Sequence, residues 1–206
     1  MSLKQQLTEG LVGLQLEISE QAQDKLLGYL ALLEKWNKHY NLTAIRNIHE
    51  MVPLHLLDSL SICPFIHGKN LLDVGTGAGL PGIPLSIVFP EKHFTLLDAN
   101  AKKIRFCRQA INELKLHNVS AVHERIERFQ PEKPLDQITT RAFSDLDKML
   151  KLLQPILTGK TEIVAMKGKL PADEINSIKQ QDYKVSEHLL SVPAINAERH
   201  LVIIKP

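Results

Sequence analysis

One glycine-rich stretch constrains the fold of this chain more than any other part of the sequence. The run Asp73–Gly82, DVGTGAGLPG, follows the apolar pair Leu71-Leu72 and precedes a second apolar run, Ile83–Val88. This order predicts a strand, a tight turn and a helix, the first unit of an α/β sheet. Glycine permits the positive φ that such a turn needs, and the free N–H groups at the start of the helix would face a bound ligand.

Strands and helices are predicted to alternate through the rest of the chain, which indicates a parallel sheet with helices on both faces. The last two strands, at 183–192 and 199–205, are separated by a segment too short for a parallel crossover, so we expect them to pair antiparallel. The other predicted strands lie at about 69–74, 93–98, 119–123, 135–140 and 161–167, and the helices at about 80–89, 101–116, 145–153 and from Pro171 onward.

Residues 1–67 are predicted to form an N-terminal helical lobe in front of a domain that spans residues 68–206. Ser19 is a suitable N-cap for a long helix, and a second short helix is expected around His55–Leu60. The lobe has two interpretations, a cap packed on the sheet or a part that holds substrate. The apolar stripe of the long helix is Ala22, Leu26, Leu30, Leu33, Trp36 and Tyr40, and a polar cluster follows at Asn37, Tyr40, Asn41 and Thr43.

The glycine turn and the second strand together indicate a nucleoside ligand. The turn reads G-x-G-x-G, with Leu80 at the position where a dinucleotide fingerprint has its third glycine. Asp98 ends the second strand, where an acidic residue can accept both ribose hydroxyls. This pattern resembles motif I and the acidic ribose residue of class I methyltransferases, which bind S-adenosyl-L-methionine. Two alternatives stay open: a turn without a ligand, and Asp98 as the N-cap of the helix that starts near Ala101.

Further candidates lie just past other strand ends, because ligands of open α/β sheets bind at the carboxyl ends of the strands. Ile126 and Glu127 could contact an adenine, or they could form a solvated turn. Arg141 follows the fourth strand, where donor and acceptor must meet, but it could also be a structural ion-pair partner. A basic rim that suits a phosphate backbone is predicted from Lys102, Lys103, Arg105, Arg108, Arg125, Arg128, Lys167 and Lys169.

Composition bounds the function only loosely. The chain has 25 basic and 23 acidic residues, so any nucleic-acid footprint must be local. Cys63 and Cys107 make no disulfide framework and no zinc set, so we expect two reduced, buried thiols and no metal site. The N-terminal residues do not resemble a signal peptide and no apolar run approaches the length of a membrane span, so a cytoplasmic protein without a membrane partner is expected.

The absence of two motifs limits which type of substrate atom could accept the methyl group. The sequence has no Asn/Asp-Pro-Pro-aromatic motif to grip an exocyclic amine, and no Pro-Cys dipeptide to attack a pyrimidine ring. An acceptor with a free lone pair, such as guanine N7, needs neither device and no general base. Phe143 could stack on a base, although such a residue is more often part of a core.

Six stretches resemble the bacterial family of 16S rRNA methyltransferases that is also called glucose-inhibited division protein B, and the match covers about residues 20–205. The resemblance implies methyl transfer from S-adenosyl-L-methionine to N7 of a guanine in the 530 loop of 16S rRNA, and a link between loss of the protein and low-level streptomycin resistance. The stretches are WNKHYNLT at 36–43, HLLDS at 55–59, DVGTGAGLPGIPL at 73–85, RAF at 141–143, KG at 167–168 and ERH at 198–200.

The resemblance also implies site residues and a partner. Cofactor contacts fall on Gly75, Leu80, Ile126, Glu127 and Arg141, with Gly77 and Gly79 completing the turn and Asp98 in the acidic position of the second strand. Arg125, Arg141 and Lys167 are the candidates for the RNA side and for catalysis. The partner would be 16S rRNA or the small ribosomal subunit, and we expect a monomer.

Two rival functions come from other classes. A nicotinamide-dependent oxidoreductase would require a third glycine at position 80, where this chain has leucine. A non-catalytic RNA-binding or ribosome-assembly factor on a methyltransferase fold is the other alternative, and the residues alone do not separate it from the enzyme.

Overall fold

The computed structural model describes residues 1–141, 145–181 and 183–206. Phe143, for which base stacking is predicted, lies outside the described residues, as does Ala142 of the RAF stretch. The strands are β1 (Asn70–Val74), β2 (His93–Asp98), β3 (Val119–His123), β4 (Gln137–Arg141), β5 (Glu162–Lys167), β6 (Lys184–Leu189) and β7 (His200–Lys205).

One seven-stranded sheet organises the chain, in the order β3-β2-β1-β4-β5-β7-β6. The first five strands pair in parallel, so their carboxyl ends meet at one edge, with Val74 in register with both Leu97 and Thr140. β7 pairs antiparallel with β5 and β6. The predicted fold class, a Rossmann-like methyltransferase fold with a C-terminal antiparallel hairpin, is confirmed.

Helices cover both faces of the sheet. Two short 3₁₀ turns lie at Cys63–Phe65 and Gln154–Ile156, and a π-helical turn at Val52–Leu57 joins two short helices into one continuous segment. The α-helices are α1 (Leu3–Gly13), α2 (Glu20–Tyr40), α3 (Ile48–Met51), α4 (Asp58–Leu60), α5 (Gly82–Val88), α6 (Ala101–Glu113), α7 (Leu146–Leu153) and α8 (Ala172–Lys179).

The two faces carry separate hydrophobic cores. Helices α7 and α8 cover one face, with Met149 and Ile175 among the buried side chains. On the other face, buried Leu30 of α2 and Leu57 belong to the same cluster as Phe94 of β2 and Phe106 of α6. The N-terminal helices therefore share a core with the sheet, and the division of the chain at residues 67 and 68 stays a prediction.

The N-terminal lobe follows local sequence rules closely. Ser19 caps α2 by accepting a hydrogen bond from the backbone N–H of Ala22, as predicted. Helix α1, which the sequence reading did not delimit, begins with a capping box between Ser2 and Gln5. Tyr40 was expected on the apolar stripe but is 39% exposed and stacks on Trp36, because it lies in the last turn of the helix.

The polar cluster at the end of α2 fixes the bend that follows this helix. The Asn37 amide accepts a hydrogen bond from the Thr43 backbone N–H and donates one to the Ile45 carbonyl, at 2.9 and 3.1 Å. Asn41 ends the helix in a left-handed conformation with φ of 49°. Asn37 is thus a structural residue of this bend.

Cys63 and Cys107 are buried free thiols, as predicted. No helix in the described part of the chain combines the length and apolar character that a membrane span requires.

Candidate cofactor and substrate site

The glycine turn has the geometry that its sequence predicts. Gly75, Gly77 and Gly79 have φ of 68°, 61° and 88°, a region where side chains with a Cβ are strained. The turn is fixed to the neighbouring strand, since the backbone N–H groups of Gly75 and Thr76 both donate to the Leu97 carbonyl. Helix α5 starts at Gly82 instead of the predicted position 80, because residues 76–81 form the turn.

Asp73 is the internal support of that turn. Its fully buried carboxylate accepts hydrogen bonds from the Thr76 hydroxyl at 2.6 Å, the Gly82 backbone N–H at 2.9 Å and the Thr139 hydroxyl at 3.2 Å. Burial raises the pKa of Asp73 to about 6, and these three donors oppose the shift. The carboxylate thus joins β1, β4 and the start of α5.

Asp98 lies beside the turn and is oriented by it. One carboxylate oxygen accepts a hydrogen bond from the Gly77 backbone N–H at 2.9 Å, and the other accepts one from the Asn100 backbone N–H at 2.8 Å. The Lys103 ammonium is 3.9 Å away. The alternative of Asp98 as the helix N-cap is wrong, because the Asn100 side chain caps α6.

The turn and Asp98 present groups that suit a nucleoside. A Cβ built on Gly77 would lie 3.9 Å from the Gly75 carbonyl oxygen and from the Lys103 ammonium, so this residue is not tightly packed. An ionised carboxylate has about four lone-pair sites. Asp98 uses two of them within the protein, which leaves acceptors for two ribose hydroxyls. The residues present therefore fit the adenosine part of S-adenosyl-L-methionine.

Residues Arg125, Ile126 and Glu127 form a turn after β3, at the same edge of the sheet. Ile126 is half-buried against the core under α7, whereas Arg125 and Glu127 are exposed. In the described part of the chain, no hydrogen bond or ion pair joins the side chains of these three residues to the glycine turn. The structure brings them to the correct edge, and their contact with an adenine stays a prediction.

Arg141 ends β4 and is held by the N-terminal lobe. Its Nε lies 3.4 Å from the Asp58 carboxylate, and one terminal nitrogen donates to the Leu54 carbonyl at 3.0 Å. The other Asp58 oxygen accepts a hydrogen bond from Arg199 Nε at 2.8 Å. Asp58 is only 3% exposed, so one buried carboxylate bridges two arginines. Arg141 is therefore a structural ion-pair partner, as one of its two interpretations predicts. Its buried Nη1 has no hydrogen-bond partner among the described residues.

His55 lies in the same buried region. Its Nε2 is 2.9 Å from the Thr43 hydroxyl and its Nδ1 is 3.0 Å from the Leu54 carbonyl. Burial, followed by the positive charge of Arg141, lowers the pKa of His55 to about 4. Residues of three predicted stretches, WNKHYNLT, HLLDS and ERH, thus converge with Arg141 at one end of the sheet.

Lys167 ends β5 and is largely enclosed. Its side chain is 9% exposed, and its Nζ lies 3.5 Å from the Glu174 carboxylate of α8. The residue is at the predicted edge of the sheet, but its ammonium faces α8.

Tyr29 contacts the candidate site, although the sequence analysis does not predict this contact. Its buried hydroxyl donates a hydrogen bond of 2.7 Å to the Ala78 carbonyl, and so connects α2 to the glycine turn. Tyr29 lies three residues after Leu26 and four before Leu33, so helical spacing was the available signal.

One further cleft lies away from the glycine turn. It encloses about 540 Å³ beside β1, β2 and β3, and its lining includes Asn70, His93, Ser120 and Phe129. Arg128 of the predicted basic rim lines this cleft, whereas none of the predicted cofactor-binding and catalytic residues, all of which the structure describes, does so.

Solved methyltransferase structures share this fold. A SAM dependent methyltransferase from Aquifex aeolicus superposes with a TM-score of 0.57 and 20% identity, over 74% of this chain and 92% of that one. The glycopeptide N-methyltransferase MtfA, solved with S-adenosylmethionine, gives a TM-score of 0.63 and 9% identity, over 74% and 87% of the two chains. At these identities the likeness establishes the fold alone.

Sequence relatives cover nearly the whole chain. The ribosomal RNA small subunit methyltransferase G of Marinobacter nauticus is 49% identical over 199 residues, which are 97% of this chain and 93% of the relative. The protein of the same name from Ectopseudomonas mendocina is 48% identical over 203 residues, 98% and 95% of the two chains. A family model described as rRNA small subunit methyltransferase G matches residues 22–202. The chain therefore belongs to the rRNA small subunit methyltransferase G family.

Proposed function

We propose that this protein transfers a methyl group from S-adenosyl-L-methionine to N7 of a guanine in the 530 loop of 16S rRNA, as a cytoplasmic monomer. Membership of the family supports the rRNA of the small subunit as substrate. The observation that carries the cofactor is the pairing of the glycine turn with Asp98, whose carboxylate is fixed by the Gly77 backbone N–H.

The cofactor supplies an electrophilic methyl group on a sulfonium. The chain's own residues bind and orient it in this proposal. Asp98 accepts hydrogen bonds from the ribose hydroxyls, while Gly75, Gly77, Gly79 and Leu80 let the backbone approach the ligand. Ile126 packs on the adenine and Glu127 accepts from its exocyclic amine.

The remaining work is alignment, since guanine N7 carries no proton that a base must remove. Arg141 follows Thr140, which is in register with Val74 just before the glycine turn, and it is fixed by Asp58 and the Leu54 carbonyl. We assign it the role of positioning the acceptor and the donor relative to each other. Arg125 and Lys167 remain candidates for the RNA side at the same edge of the sheet. Fixed polar groups of this kind lower the cost of reorganisation during transfer.

The test is a methyl-transfer assay with labelled S-adenosyl-L-methionine. The protein is incubated with small ribosomal subunits from a strain that lacks this enzyme, with naked 16S rRNA and tRNA in parallel. We expect label in 16S rRNA as 7-methylguanosine and none in tRNA. Binding of the cofactor without methyl transfer to any RNA would contradict the proposed enzymatic function. It would favour a non-catalytic assembly factor.

A further inference from the structure

Several cations of the predicted site already form ion pairs with carboxylates of the protein itself. Arg141 pairs with Asp58 at 3.4 Å, Lys167 with Glu174 at 3.5 Å and Lys103 with Asp98 at 3.9 Å. A phosphate would compete with a carboxylate that is already in place for each of these cations. The main phosphate contacts are therefore to be sought among cations that have no such partner.

One face of α6 carries cations of that kind. Lys102, Arg105 and Arg108 are exposed and recur every third residue, so they form a single stripe along the helix. None of them forms an ion pair with a carboxylate in the described ranges 1–141, 145–181 and 183–206. We call this set, together with His123 at the end of β3, the α6 basic stripe.

The α6 basic stripe borders a concave surface. The concavity encloses about 470 Å³, and its described lining contains Gln109 and Asn112 but no acidic residue. An anionic ligand would therefore meet hydrogen-bond donors and positive charge without a repelling carboxylate.

Two members of the stripe are held in place by the backbone. Arg108 donates from Nε and Nη2 to the Ala121 carbonyl, both at 3.2 Å, and so stays against β3. His123 Nε2 lies 3.1 Å from the Ala99 carbonyl. Side chains that are ordered before binding lose less conformational entropy when a ligand arrives.

The stripe adjoins the candidate cofactor site. His123 is directly in register with Asp98 on the neighbouring strand, and α6 begins three residues after Asp98. A strand of RNA along α6 would therefore run past the edge where the glycine turn and Asp98 lie.

We propose that the α6 basic stripe binds the phosphate backbone of the RNA substrate next to the methylated guanine. This inference rests on the proposed function, because it takes RNA as the substrate. It assigns the main phosphate contacts to Lys102 and Arg105, with Arg108 and His123 completing the surface.

The test compares two double variants of equal charge. Lys102→Gln/Arg105→Gln removes two charges from the stripe and leaves Arg108, which also contacts β3. The control, Lys151→Gln/Lys160→Gln, removes two exposed charges, one on α7, which covers the opposite face of the sheet, and one in the turn before β5. The readouts are KM for small ribosomal subunits at several salt concentrations, the affinity for S-adenosyl-L-methionine, and thermal unfolding.

We expect the stripe variant to raise KM about 10-fold and to lower the slope of log affinity against log salt by about 2, one for each lost phosphate contact. Cofactor affinity and thermal unfolding should stay unchanged, and the control should match the wild type. Equal KM and salt slope in both double variants would overturn the inference while the proposed function stands. Wild-type protein that transfers no methyl group to the subunits would overturn both.

Discussion

The carboxylate of Asp73 accepts a hydrogen bond of 2.9 Å from the backbone N–H of Gly82, nine residues further along the chain. This bond holds the two ends of the glycine turn together, since it joins the buried strand β1 to the first residue of α5. The side of the turn that would face the proposed cofactor thus depends on a buried carboxylate.

Gly82→Ala should destabilise the protein, because the new Cβ would lie 2.8 Å from the Asp73 carboxylate and would also contact Leu96. Overpacking of this kind costs about 2 kcal/mol or more. The measurement is the free energy of unfolding in urea. Gly159→Ala is the matched control, since nothing lies within 4 Å of its new Cβ. Equal stability of the two variants would show that the contact between Gly82 and Asp73 is not tight.

Asp73 should make stability depend on pH in an unusual direction. Burial raises its pKa to about 6, so the folded state holds this proton more tightly than the unfolded state, where the pKa is 3.8. The stability that Asp73 contributes is present below pH 4 and is lost as the pH rises to 6, by up to about 3 kcal/mol. The stability of the wild type relative to Asp73→Asn should therefore fall over this range.

His55 acts in the opposite direction. Its pKa is lowered to about 4, so its contribution is present above pH 6.5 and is lost as the pH falls. Both the wild type and Asp73→Asn retain His55, so its effect cancels in their difference. Urea unfolding at pH 4, 5, 6 and 7 gives that difference directly. A difference that stays constant across these four values would mean that Asp73 does not titrate there.

Asp98→Asn should weaken the binding of S-adenosyl-L-methionine, measured by titration calorimetry. Hydrogen bonds to a charged group contribute about 1.5–3 kcal/mol, which corresponds to a loss of roughly 10- to 100-fold in affinity. Asp136→Asn is the control, because Asp136 also accepts two backbone N–H bonds, from Lys69 and Asn70, but at the amino end of β1. Unchanged cofactor affinity in Asp98→Asn would remove Asp98 from the site.

Asp58→Ala should be strongly destabilising, since it leaves Arg141 and Arg199 without their shared carboxylate. Breaking a buried ion pair costs about 3–5 kcal/mol. Asp24→Ala breaks the pair of Lys4 and Asp24, whose side chains are 51% and 65% exposed, and should cost at most about 1 kcal/mol. Thermal and urea unfolding of both variants provide the comparison. Similar small losses in both would indicate that the Asp58 bridge adds no stability.

The sequence predicts well those parts of the structure that local rules determine. Strand β2 and the start of α2 at Ser19 match their predictions, because apolar runs, capping residues and glycine turns act over a few residues. The antiparallel hairpin followed from the length of its connection. Helix α5 begins two residues after its predicted start, because these two residues belong to the preceding turn.

The contacts that build the site from distant parts of the chain could not be predicted in the same way. The Asp58–Arg199 bond spans 141 residues, and the Arg141–Leu54 bond spans 87. No local pattern determines such pairs, which arise only when the N-terminal lobe packs against the carboxyl end of β4 and the amino end of β7. The acidic residue in HLLDS was a hint, since a lone charge in an apolar helical segment needs a buried partner.

The most direct test of the central claim is amide hydrogen exchange with and without S-adenosyl-L-methionine, since it locates the bound cofactor without a substitution. The account predicts slower exchange across Gly75–Leu80 and at Asp98–Asn100, where backbone N–H groups surround the proposed nucleoside. Protection confined to the cleft of about 540 Å³ beside His93 and Phe129 would contradict it, because the cofactor would then lie away from the glycine turn.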